Sequence, residues 1–114
     1  MFPSDDITEN SELQELEDII MGLIINAGQA RSLAYAALKE AKKGNFNTAR
    51  ALMSQSQLSI NEAHLVQTKL IEDDEGTGKT KVSLILVHAQ DHLMNAMLVR
   101  ELVMELIVLH EKIK

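Results

Sequence analysis

His88, Asp91 and His92 interrupt an apolar run, Val82-Ser-Leu-Ile-Leu-Val-His-Ala-Gln-Asp-His-Leu-Met94. On a helix the two histidines stand one turn apart on one face, with Asp91 beside them, three residues after His88. Titratable groups set among Leu and Val carry a desolvation cost unless they are paired or in use. Three uses fit the spacing. The imidazoles could pair with Asp91 and fix helix register. They could ligate a transition metal, since His-x-x-x-His is a zinc spacing. Position 89 is Ala, however, where a metalloprotease has Glu, and a third ligand would have to be Asp91 or come from another subunit. Or one neutral imidazole could be a nucleophile near neutral pH, its tautomer held by the neighbouring carboxylate or histidine. His64 and His110 stand apart from any polar cluster and read as surface or core-edge residues.

A second pattern is misleading. Gly-Thr-Gly-Lys-Thr, residues 76–80, looks like the end of a phosphate-binding loop. That motif needs a glycine at position 73, which is Asp, and a strand in front of it, where this chain has Glu72-Asp-Asp-Glu75. A plain inter-helix loop is the expectation, without nucleotide.

Helical periodicity has to position the histidines. Leu13, Leu16, Ile20, Leu23, Ala27 and Ala34 keep helical spacing in a first helix over 11–43. Ser11 with Gln14 matches a capping box at its start, and Gly44-Asn45 stops it. Its length would be about 48 Å at about 1.5 Å per residue. Asn45 can cap a second helix over 46–71, followed by the charged loop and a third helix over 80–113. Residues 1–10, polar and aperiodic, read as a disordered acidic lead, and 11–114 as a single domain. The expected fold is all-α: an up-down-up three-helix bundle, similar to a spectrin repeat. Gly22 and Gly28 weaken the first helix, so they are expected to permit a close helix contact. Nearby Asn26, Gln29 and Arg31 belong to a solvated face or to a wall of the histidine site.

The third helix is apolar nearly all round. Leu84, Ile85, Val99, Leu102, Val103 and Leu106 lie on the side of His88, whereas Leu86, Leu93, Met97, Met104 and Val108 point the other way. One thin bundle buries one of these stripes, and a soluble monomer rarely leaves the other exposed. A homo-oligomer with third helices packed together resolves this.

Composition narrows the classes further. The chain has 114 residues, of which 46% are hydrophobic and 3% aromatic, with one Pro and five Gly. That suits one helical domain and argues against a many-stranded β fold. No Cys is present, which excludes disulfides, thiolate metal sites and a cysteine nucleophile. No apolar run is long enough to span a membrane and no charged signal segment opens the chain, so the expected setting is cytoplasmic. The net charge of −6 argues against nucleic acid. It is also unevenly placed: of 17 acids, 11 fall in residues 1–18 and 72–75, leaving six acids and all 11 basic residues for the rest, a body of +5.

Three segments carry a resemblance: Met21-Gly-Leu-Ile-Ile-Asn-Ala-Gly-Gln-Ala-Arg-Ser-Leu-Ala34, Asn61-Glu-Ala-His-Leu-Val-Gln-Thr-Lys-Leu-Ile71 and the His88–His92 run. Together they resemble the lactose/cellobiose class of enzyme IIA of the bacterial phosphoenolpyruvate-dependent sugar phosphotransferase system, over about residues 12–114. The likeness is strongest to its cellobiose/N,N′-diacetylchitobiose branch, by the acidic lead, Gly-Leu-Ile-Ile-Asn and the Leu109-His-Glu-Lys112 ending. The resemblance implies a homotrimeric phosphocarrier. His88 would accept a phosphoryl group from phospho-HPr, on Nε2, and pass it to the cysteine of the cognate IIB during uptake of a β-disaccharide. His92 would be a donor to the phosphoryl group, and the Asp91 carboxylates of three subunits would meet a divalent ion, Mg²⁺, on the trimer axis. The alternative from another class is a non-catalytic helical oligomer whose His-Asp-His cluster binds metal.

Overall fold

The structure, a computed structural model, describes the backbone from residue 3 and side chains from residue 11 to residue 114. Three helices, α1 (Pro3–Lys42), α2 (Phe46–Asp74) and α3 (Leu84–Ile113), run up, down and up. There is no strand among the described residues. The bundle is thin, 68 × 23 × 19 Å. α1 packs on both partners, and α2 and α3 touch each other least.

Alanine lets α1 hold that central place. Ala27, Ala30, Ala34, Ala37 and Ala41 are buried on one side of it, together with Ile20 and Leu23. Small side chains at successive turns bring helix axes close, and the larger Met53, Ile60, Leu93 and Ile107 fill the space from α2 and α3.

The ends of the helices depart from the sequence expectations in four places. α1 starts at Pro3, so the lead expected over 1–10 is helical from residue 3; residues 1 and 2 lie outside the described residues. A proline in the first turn followed by acids is what a helix N-terminus accepts. Ser11 is therefore no cap, and Gln14 instead donates to Asp18 Oδ1 at 3.0 Å, one turn on. Asn45 occupies the N-cap position of α2, but its side chain makes no cap bond and donates back to Glu40 Oε2 at 2.9 Å. α2 runs on to Asp74, and α3 begins only at Leu84, where the Ser83 hydroxyl accepts from the Leu86 N–H at 3.2 Å.

The α1–α2 corner matches its sequence. Gly44 has φ 86°, its N–H donates to Ala41 O at 3.0 Å, and the Asn45 N–H donates to Glu40 O at 2.9 Å. That pair of bonds is a Schellman cap, which needs a left-handed residue and favours Gly.

The core is split by a polar layer. One apolar cluster gathers Ile20, Leu23, Ile60 and Leu93 with their neighbours, and a second gathers Ala37, Met53, Val103 and Ile107. Between them Ser56, fully buried, donates to the Ala30 carbonyl at 2.6 Å and accepts from Arg100 Nε at 2.8 Å. Arg100 Nη2 also donates to Met53 O at 3.3 Å. All three helices thus meet at one hydrogen-bonded node, and burial lowers the Arg100 pKa from its ordinary value.

Candidate histidine site on the third helix

α3 buries Leu86, Ala89, Leu93, Ala96, Val103 and Ile107 against the other helices. The opposite edge is open: Leu84 and Ile113 are 86% and 77% exposed, and Leu98, Leu102 and Leu109 more than half. Two apolar faces were expected, and two are present. Their membership differs, since Val103 is buried although it was placed on the His88 side, and Met104 and Val108 remain 42% and 41% exposed. Val103 stands about 60° round the helix from His88, at the boundary between the two sides.

His88 and His92 stand on the border between the two faces. His88 is exposed and His92 half-buried. Their rings are parallel to within 8° with centroids 5.9 Å apart, about one helical pitch. His92 turns toward α1, where a Cβ built on Gly28 would lie 3.2 Å from its Nε2. Gly28 thus has a close contact, with a ring rather than with a helix backbone. Gly22 has none within 4 Å, so the contact expected there is absent within one chain.

Asp91 is exposed on the open edge, and its Oδ2 is approached by the Asn95 side-chain amide at 3.4 Å. The carboxylate therefore does not hold either imidazole, which removes the reading in which an Asp91 pair fixes register. Among the described residues of a single chain no group of three or more His, Asp or Glu is placed to hold a metal ion. A metal at Asp91 would need oxygen ligands from further copies of the chain.

The motif's fourth polar residue escaped the sequence reading. Gln90 is half-buried and turned to α2, where Gln67 Nε2 donates to its Oε1. Its signal was available: on a helix Gln90 stands about 160° from His88 and about 40° from Leu86, on the buried side. Ser56 and Arg100 also went unread, because each alone looks like an ordinary surface residue.

The glycine loop binds inward. Asp74 accepts from the Gly78 N–H at 3.2 Å and the Thr80 N–H at 2.8 Å, and its carbonyl accepts from Thr77 Oγ1 at 3.0 Å. Gly76 and Gly78 take φ 69° and 75° to permit this. These donors, which a phosphate would use, are occupied by the chain's own carboxylate. His64 is exposed and His110 half-buried, each at a helix position away from the pair.

Fold and site define a class: a three-helix bundle that displays an open imidazole at the edge of an unpartnered apolar helix face, within reach of another macromolecule. Comparison with known proteins makes this specific. The family model "PTS system, Lactose/Cellobiose specific IIA subunit" matches residues 18–111. The chain is 66% identical over 115 residues to the N,N′-diacetylchitobiose-specific EIIA component of Escherichia coli K12, covering 100% of this chain and 99% of that protein. Among solved structures it is similar to the IIA(chitobiose)–HPr complex of the N,N′-diacetylchitobiose branch of the E. coli phosphotransferase system, with 70% identity, TM-score 0.76, and 86% and 95% of the two chains covered. The cellobiose-specific enzyme IIA from Bacillus anthracis matches with TM-score 0.82 and 47% identity over 85% of this chain and 89% of that one. The chain belongs to the lactose/cellobiose-specific IIA family of the sugar phosphotransferase system.

Proposed function

We propose that the chain is a phosphocarrier of a sugar phosphotransferase system, a cytoplasmic phosphotransferase component that works only between proteins. The observation that carries the reading is the exposed His88 ring, parallel to His92 and set at the edge of an apolar helix face, in a chain of this family. A relative in this family is described in complex with HPr, which supports HPr as the donor.

In the first step a neutral His88 ring nitrogen, Nε2 in this reading, attacks the phosphorus of phospho-HPr. The N–P bond forms as the bond to HPr breaks, and its electron pair stays with HPr. In the second step a cysteine sulfur of the cognate IIB attacks, the S–P bond forms, and His88 regains its electron pair. Phosphoryl transfer asks a protein mainly for alignment and for donors to the equatorial oxygens. An N–H of His92, one turn away on the same side, serves as such a donor. Docking falls to the apolar rim, where exposed Met94 offers adaptable contact. The sugar, a β-disaccharide such as diacetylchitobiose or cellobiose by the names of the relatives, does not touch this subunit.

The open edge of α3 belongs to the interface of a homotrimer in this reading. Three Asp91 carboxylates would then converge on the axis, and like charges at that distance need a counter-charge. Asp91 fits a hard divalent cation such as Mg²⁺, having oxygen donors that meet only one long amide contact within its own chain. The ion would supply charge neutralisation at the axis, away from the transfer chemistry.

Incubation with phosphoenolpyruvate, enzyme I and HPr tests the function. One acid-labile, base-stable phosphate per chain is expected, lost in His88→Ala and retained in His64→Ala. Labelling that survives His88→Ala overturns the site.

A further inference from the structure

Gly28 is an unfavourable residue for its place, in the interior of α1. Gly in a helix interior costs about 1 kcal/mol against Ala. At Gly22 nothing lies within 4 Å to explain that cost; at Gly28 the imidazole of His92 does, with Nε2 at 3.2 Å from the position a Cβ would take. Contact at that range is tighter than carbon and nitrogen normally keep. It is also the range at which a hydrogen-bond acceptor stands from a ring N–H, about 2.7–3.2 Å. A methyl group on residue 28 would therefore push the ring or take up the room in front of Nε2. Both act on His92, and through its parallel stacking both reach the face that it turns to His88.

We infer that Gly28 is a positioning residue for phosphoryl transfer: by lacking a side chain it lets His92 sit against α1 with Nε2 unobstructed and its ring parallel to His88. The inference rests on the proposed role of His88 and His92. Having no side chain to offer, Gly28 acts through His92, the ring its missing Cβ would meet.

The test compares wild type, Gly28→Ala, Gly22→Ala, His92→Asn and the Gly28→Ala/His92→Asn double variant. Single-turnover transfer from phospho-HPr is measured together with ¹⁵N spectra of the histidine rings. Gly28→Ala should stay folded with a cooperative melt, shift the His92 ring resonances, and slow transfer about tenfold at saturating HPr. That is a modest part of the loss expected when a reacting geometry is displaced by about 1 Å. The KM for HPr should not change, and Gly22→Ala should transfer at the wild-type rate. In the His92→Asn background, where a shorter side chain leaves room, Gly28→Ala should cause no further loss. Equal slowing by Gly28→Ala in both backgrounds, or an undisturbed rate in the single variant, overturns the inference and leaves the role of His88 standing. Wild-type protein that accepts no phosphate from phospho-HPr overturns both.

Discussion

The two histidines differ in what holds them. His88 is open to solvent, whereas His92 is half-buried against Gly28, an asymmetry that fits the proposed roles of acceptor and positioned donor. This asymmetry predicts that His92→Ala slows transfer without abolishing labelling, while His88→Ala abolishes it; rapid-quench kinetics separates the two. Ser56 is the residue whose loss should hurt the fold most for its size. Ser56→Ala deprives Arg100 Nε of its acceptor in a buried layer and should destabilise by about 1–3 kcal/mol, measured by urea unfolding. A change below a few tenths would mean that water replaces the hydroxyl at no cost. Of the site, His88, Asp91 and His92 were legible in the sequence because helical spacing fixes which residues share a face. Gly28 was legible only as an oddity, since its meaning depends on how α1 docks against α3. The Ser56–Arg100 node depends on all three helices at once, and no local pattern announces it.

The helices themselves were legible because a 3.6-residue period of Ile, Leu and Ala runs through each of them. Their ends were less so. Ser11 and Asn45 have the chemistry of caps, but their side chains or neighbours found other partners once the chain was folded. Gly44 was read correctly because a left-handed residue ending a helix leaves few alternatives. The two kinds of glycine predict opposite signs. Gly44→Ala, at φ 86°, should destabilise by about 1–2 kcal/mol. Gly22→Ala, helical and without close neighbours, should stabilise by about 0.5–1 kcal/mol. Thermal denaturation of the two variants decides it, and a shift of the same sign for both would contradict the backbone account.

The whole chain carries −6, but 11 of its 17 acids concentrate in residues 1–18 and at the end of α2 with the turn after it (72–75), leaving +5 on the remaining residues. The open edge of α3 exposes more apolar side chains than a lone soluble subunit commonly does, which supports the proposed trimer. Light scattering should give about three times 12.7 kDa, and a monomer would refute the interface. Asp91→Leu removes the like charges that would meet on an axis, so the trimer should persist without added metal; dissociation would contradict the like-charge argument. The claim on which all of this converges is that one nitrogen of His88 carries the phosphoryl group. Alkaline digestion of the protein phosphorylated through HPr, followed by mass spectrometry, reads that position directly. The account predicts phosphate on His88 alone; phosphate on His64, His92 or His110, with His88 unmodified, would contradict it.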